Sequence, residues 1–282
     1  MKLAYIFLTR VDLNQSQLWK DFFQNQNQNP NPNQSSFNSF NIYCHPKHPE
    51  QISPDSPLYQ KTIPEHLIIS NTKWGTTSLV KATNALLQYA YEDDPLNQKF
   101  ILLSESCIPI RNFQYIYDKL LLIPNNNSYI SSFNQEMRPG DKSIKRRYER
   151  FERYSENRHP VPLEEYRKQS QWMILDRKHV KMILDNNTFF LPIYDNPKIQ
   201  NADENYYINL LIHLETPLDQ EVINQKKTYK KWTPKDNSHP KTFENIKPKL
   251  LQKIREEPED YFFMRKVSPN ARLSSNLFLT TS

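Results

Sequence analysis

KFILLSESCIPI, residues 99–110, is the stretch on which the reading of the fold turns. Phe100, Ile101, Leu102 and Leu103 form an unbroken apolar run, Ser104, Glu105, Ser106 and Cys107 follow it, and Pro109 ends the pattern. A continuous apolar run of this length reads as a strand buried on both faces, as in the interior of an α/β sheet. In open α/β sheets, ligands bind just beyond the carboxyl ends of such strands. A strand that finishes in two hydroxyls, a carboxylate and a thiol is therefore a site candidate. An ordinary turn after a buried strand is the plainer alternative.

The neighbouring segments fit the same scheme. Residues 3–8 read as a short apolar strand that ends in Thr9 and Arg10, and residues 40–44 as a second strand before His45 and Pro46. Residues 67–70 are a third short apolar run, and residues 128–133, 171–175 and 228–232 read as further strands. Apolar side chains recur at helical spacing over residues 16–23, 77–91, 113–122, 178–186, 202–214 and 243–256. Residues 261–267 close the pattern with an aromatic and basic segment. Strands alternating with helices predict an α/β fold with a largely parallel sheet, in a single domain over residues 1–282. Residues 24–36 form an Asn/Gln/Pro tract and are expected to be a flexible loop. Residues 138–168 are rich in Arg, Lys, Glu and Tyr. They read as an exposed, partly helical loop over one edge of the site, or more simply as a solvated charged face.

Composition removes several function classes. The chain has only two glycines, so Walker loops and GxGxxG fingerprints, which need glycine for close approach of backbone to phosphate, are excluded. No GxSxG elbow occurs. Seven histidines show no HxxxH or HExxH spacing. Glu92, Asp93 and Asp94 have the composition of an acidic metal motif, but they end a helix ahead of a strand and are expected to be solvated; no metal site is expected. Cys44 and Cys107 each end an apolar run, which favours buried thiols over a disulfide and fits a reducing compartment. No apolar run reaches membrane-spanning length, so a soluble chain without stable membrane insertion is expected. A net charge of +6 suits a phosphate-bearing partner, either a nucleic acid or a nucleotide sugar.

Three groups of residues carry potential chemistry. Asp203 and Glu204 stand at a helix start, where carboxylates cap the helix dipole; the sharper reading makes one of them a general base. Lys241, after His239 and Pro240, and Arg265 with Lys266, after two phenylalanines, could neutralise a diphosphate or be surface cations. Trp74, Trp172 and Trp232 stand in polar surroundings, where aromatic faces stack on sugars and bases, although core packing is the commoner use.

Taken in order, KLAYIFLTR, IYCHPKHP, KWGTTSLVKATNALLQYA, FILLSESCIPIRNFQYIYDKL, KQSQWMILDRKHVKMIL, ADENYYINLL, YKKW with SHPKTF, and FFMRKVSP resemble the core-2/I-branching glycosyltransferase family, including its plant-type branch. The resemblance covers nearly the whole chain. It implies a GT-A-type α/β domain that transfers a sugar from a nucleotide donor to a hydroxyl of a glycan acceptor, with inversion and without a divalent metal. N-acetylglucosamine is the usual sugar of the family, and a related branch transfers xylose.

Mapped by this resemblance, Glu204 is the base, and Lys241 and Lys266, with Arg265, hold the diphosphate of a UDP-sugar. Thr9, His45 and Trp74 face the uridine, and Ser104, Glu105 and Cys107 belong to the donor side. Trp232, with Trp172 and Asp203, faces the acceptor. Departures are Lys241 where animal members have Arg, Cys107 where they often have Asp, and Gln169 where a Gly is usual. Two other readings stand beside this one. A nucleic-acid binder would use the basic run at residues 142–158, although Glu interrupts it in YERFERYSE. An inactive family member would bind glycans without turnover.

Overall fold

The computed structural model describes residues 1–24, 39–123, 126–155, 159–233 and 239–273; most of the Asn/Gln/Pro tract lies outside them. The chain opens with strand β1 (Lys2–Thr9), helix α1 (Ser16–Gln24), strand β2 (Phe40–Pro46) and helix α2 (Thr77–Asp93). Strands β3 (Asn97–Leu103) and β4 (Ile108–Pro109) precede helix α3 (Phe113–Tyr117), which continues as a π-turn over Asp118–Leu122. Strands β5 (Ser128–Tyr129) and β6 (Ser132–Phe133), helix α4 (Ser143–Tyr154), and strands β7 (Lys168–Gln169) and β8 (Ile174–Asp176) follow. Helices α5 (Arg177–Phe190), α6 (Tyr206–His213) and α7 (Leu218–Glu221) then lead to β9 (Val222–Ile223) and β10 (Thr228–Lys230). Strand β11 (Phe243–Ile246), helix α8 (Pro248–Arg255), and strands β12 (Phe263–Arg265) and β13 (Val267–Leu273) complete the described elements.

Six strands form the central sheet in the order β2-β1-β3-β8-β5-β9. β1 runs parallel to both β2 and β3, and β8 runs antiparallel to β3 and β5. β9 is parallel to β5, so the sheet is mostly parallel and mixed only around β8. Helices flank it, and the arrangement is consistent with a GT-A-like fold. The expectation for residues 99–110 holds: Phe100 to Leu103 are buried in β3, between β1 and β8.

A second sheet, β10-β12-β4, stands beside the first. An aromatic cluster joins the two. Tyr5 of β1 meets Trp19, Phe22 and Phe23 of α1 edge-on, and Trp19 stacks on Phe263 of β12 with ring centroids 6.1 Å apart. The Trp19 indole N–H donates to the Cys107 carbonyl at 3.0 Å. Each fully buried aromatic of this kind contributes roughly 1.5–3 kcal/mol by removal from water.

One polar contact lies inside this apolar frame. Lys99 of β3 faces Asp176 of β8 across the antiparallel ladder, with Nζ 3.0 Å from Oδ2 and both side chains buried. The ammonium also donates to the Asn127 carbonyl at 2.8 Å. Asp176 in turn caps α5 by accepting the Lys178 N–H at 2.9 Å. The pair thus fixes both the register of β8 and the start of α5.

Several sequence expectations need correction. Residues 243–256 are not one helix: Phe243–Ile246 is a strand, and α8 begins only at Pro248, whose preceding residue Lys247 is extended. Residues 128–133 divide into two short strands in different sheets. Residues 67–70 contain the end of a 3-10 turn at Glu65–Leu67. Ahead of α6, residues Ala202–Glu204 form a 3-10 turn, and Asn205 leaves the helical region with φ −140°. Glu92 and Asp93 are exposed, as expected, but Asp94 is half-buried and both aspartates are bonded. Asp93 accepts from the Tyr43 hydroxyl at 2.7 Å, and Asp94 accepts from Lys2 and Asn41 at 2.9 Å each. They tie α2 to β1 and β2.

Breaking a buried pair by removing one partner strands the other charge, which costs about 3–5 kcal/mol. Lys99→Met should lose stability on that scale in chemical denaturation, and adding Asp176→Asn should restore part of it. A Lys99→Met protein as stable as the wild type would show that Asp176 is compensated elsewhere.

Candidate active site

A cleft of about 690 Å³ opens at the carboxyl ends of β1 and β3. β1 delivers Thr9 and Arg10 to it, and β3 delivers Ser104, Glu105 and Ser106. The turn after β3 is held from several sides. The Asn14 N–H donates to the Glu105 carbonyl at 2.9 Å, and the Val267 N–H donates to the Ser106 carbonyl at 2.9 Å. Ser104 Oγ lies 3.1 Å from Ser106 Oγ. Strand β13, which follows β12 in the chain, is therefore bonded directly to the turn at the end of β3, and the cleft lies beside that junction.

Gly75 positions the opposite wall. Its φ of +72° suits glycine, its carbonyl accepts the Asn201 N–H at 2.6 Å, and a Cβ there would stand 3.3 Å from Asn201 Oδ1. This contact couples the Trp74 segment to the turn that carries Asp203 and Glu204. Gln169, which stands where a glycine was expected, supports the same turn from below: its Oε1 accepts the Ile208 N–H at 2.6 Å and so satisfies a free donor in the first turn of α6.

Glu204 lines the cleft. Its Oε2 receives Arg147 Nη2 at 2.6 Å and stands 3.8 Å from Lys168 Nζ. Its Oε1 has no hydrogen-bond partner among the described residues. One oxygen is thus fixed, and the other is left for a ligand. Arg147 comes from α4, so residues 138–168 are more than an exposed loop. Ile144 and Phe151 are buried, and Ile144 packs with Val161 and Tyr166 in a small core of its own. Positions 144, 147, 148 and 151 share one helix face, so the apolar spacing of α4 already turned Arg147 inward. The basic run is accordingly not an uninterrupted surface stripe.

Asp203 is buried at the cleft wall, and its Oδ1 has no hydrogen-bond partner among the described residues. Burial, reinforced by the neighbouring Glu204, pushes its carboxyl up to about 7. Lys168 is held below the usual lysine range by burial and then by Arg147.

The remaining expected residues divide clearly. Trp74 and Trp232 line the cleft and are largely exposed, and Trp74 lies 6.2 Å from the His239 ring. Trp172 is almost fully buried, with the Arg265 guanidinium 4.0 Å over its ring. Arg265 and Lys266 both line the cleft. His45, Cys107 and Lys241 are not among the lining residues. The His45 ring is buried and its Nε2 accepts the Ile69 N–H at 2.8 Å, a bond that requires the neutral ring that burial favours. Cys107 is fully buried against Ser104, and burial raises its thiol. Cys44 and Cys107 are both free. Lys241 is exposed, with its ammonium 5.6 Å from the Phe243 ring centroid. The cleft also contains Lys230 and Asn201, which the sequence reading did not single out. The doubled lysine in YKKW was the available signal for Lys230.

Among the described residues, no three His, Cys, Asp or Glu side chains group in a way that could hold a metal ion, and no helix is long and apolar enough to cross a membrane.

The family model described as Core-2/I-Branching enzyme matches residues 3–255. The rice protein named Glycosyltransferase BC10 (Oryza sativa subsp. japonica) is 25% identical to this chain over 298 aligned positions, which cover 93% of this chain and 67% of that protein.

The Asp203 shift has a definite sign. A carboxyl whose folded value is raised favours the folded state while it is protonated, and that contribution is lost as pH rises through about 7. Asp203→Asn removes the ionisation. The difference in melting temperature between Asp203→Asn and the wild type should therefore move in favour of the variant between pH 5 and pH 8. A difference that stays constant over that range would mean that the carboxyl is solvated.

Proposed function

The chain belongs to the Core-2/I-branching enzyme family and is a glycosyltransferase, and from that premise we propose that it moves a sugar from a UDP-sugar to a hydroxyl of a glycan acceptor by single displacement with inversion. The observation that carries the reading is Glu204, with one oxygen held by Arg147 and Lys168 and the other without a partner among the described residues, on a cleft that Arg265 and Lys266 also line. N-acetylglucosamine is the sugar that the family resemblance supports.

In the proposed step, the free oxygen of Glu204 takes the proton of the acceptor hydroxyl as that oxygen attacks the anomeric carbon. The bond from this carbon to the diphosphate oxygen breaks on the opposite face, and UDP leaves with the electron pair. Arg265 and Lys266 meet the charge that develops on the diphosphate, which is the task a divalent cation performs in other transferases. This supports a metal-independent reaction. Trp232 and Trp74, exposed at the cleft, offer flat apolar faces to sugar rings. Arg147 acts through Glu204: it holds the carboxylate in one orientation and keeps the second oxygen available.

A positioned general base contributes about 10²–10⁴ in rate. Glu204→Gln should lower transfer from UDP-N-acetylglucosamine to a glycan acceptor by that order while UDP binding, followed by thermal shift, stays as in the wild type. Transfer should also continue in EDTA. Near-full activity in Glu204→Gln would remove the residue from the mechanism, and activity abolished by EDTA and restored by Mn²⁺ would remove the metal-independent step.

A further inference from the structure

Lys230 has no place in the reading above, yet it is the last residue of β10 and lines the cleft. In the parallel pair of β10 with β12 it stands opposite Arg265, so the two cations start one strand spacing apart, about 4.8 Å. Lys266 follows Arg265 directly and lines the same cleft. Lys230 makes no ion pair among the described residues; its ammonium lies 5.7 Å from the Trp232 ring, and Glu204, Arg265, Lys226 and Lys168 are near enough to act on its charge. Arg265 also makes no ion pair among the described residues; its buried Nε has no hydrogen-bond partner, while its guanidinium lies over the Trp172 ring and touches Cys107.

Two adjacent cations that line a cleft, neither in direct ion-pair contact with a carboxylate among the described residues, are costly unless a ligand supplies the negative charge. Burial pulls the Lys230 ammonium down to about 8, Glu204 works against that, and Arg265, Lys226 and Lys168 add to it. A ligand with two linked anionic groups fits a pair of cations at one strand spacing. Lys241, to which the resemblance gave this work, is exposed and does not itself line the cleft, although Pro240 and Thr242 on either side of it do.

We propose that Lys230, side by side with Arg265, grips the diphosphate of the nucleotide donor and takes the role that the sequence resemblance assigned to Lys241. This rests on the nucleotide-sugar reading. It makes Lys230 a donor-binding residue and leaves Lys241 outside the reaction.

The shared chemistry is an anion, and it has two sources: the diphosphate, or a carboxylate on the sugar. Titration calorimetry with UDP, uridine, UDP-glucose and UDP-glucuronate separates them, on the wild type and on Lys230→Met, Lys230→Gln, Lys230→Arg and Lys241→Met. Melting curves establish that each variant is folded, and Lys230→Gln serves if Lys230→Met is not. Loss of a hydrogen bond to a charged group corresponds to a fall of about 10- to 100-fold in affinity. UDP should weaken by that factor in Lys230→Met or Lys230→Gln, uridine should be unchanged, Lys230→Arg should keep most of the affinity, and Lys241→Met should stay within about threefold of the wild type. Wild-type UDP affinity in the Lys230 variants, or a loss confined to UDP-glucuronate, overturns the proposal, as does a Lys241→Met variant that alone loses UDP. A wild type that binds neither UDP nor uridine overturns the nucleotide-sugar reading itself, and the proposal with it.

Discussion

A buried ion pair, Lys99 with Asp176, sits where the parallel half of the central sheet meets the reversed strand β8. Withdrawing both charges from water is expensive, and the structure offsets that cost with the Asn127 carbonyl on one side and the Lys178 N–H on the other. In an all-apolar strand pair a slip by two residues would preserve the buried faces. Here it would strand two charges, so only one register is compatible with the core. β3 in turn pairs in parallel with β1, and the loops that leave the carboxyl ends of those two strands line the cleft.

The cleft joins two layers with different tasks. The central sheet contributes a rigid floor, the Thr9 end and the Ser104–Ser106 turn. The small second sheet contributes Lys230 and Arg265, and it is tied to the first through the stack of Trp19 on Phe263, while Val267 of β13 bonds to Ser106. Glu204 stands on a third element, the turn ahead of α6, which Gly75 and Gln169 hold from two sides. The Glu204 N–H is bonded to the Asn201 carbonyl and the Lys266 carbonyl accepts from the Phe243 N–H, so both side chains stand on anchored backbone. Such a site keeps its geometry before any ligand arrives.

Much of this was legible along the chain. The strands β1, β2 and β3 stood out as apolar runs, and α2 and α5 as helical patterns. Residues 243–256 were misread because Phe243, Ile246, Leu251 and Ile254 fall near helical spacing. Pro248 was the overlooked signal, since proline prefers the first helical position and extends the residue before it. The resemblance turns His45 toward the uridine, but its buried ring accepts the backbone N–H of Ile69. Arg147 was read as part of a charged loop, although the 144, 147, 148, 151 face of α4 marked it as turned inward.

By itself the sequence determined the order and type of the main elements, the buried strand that ends in the Ser104 turn, the pairing of Asp203 with Glu204, and the family likeness that the family model bears out. These are properties of local pattern, set by which side chains water rejects over a few turns or a few strand residues. Which cations meet the cleft was decided only by the tertiary structure. Lys230 and Arg265 are far apart in the chain and become neighbours through the register of two parallel strands, whereas Lys241, one segment away, stays exposed. The direction of a side chain at a strand end depends on how two sheets are joined, and no local spacing encodes that.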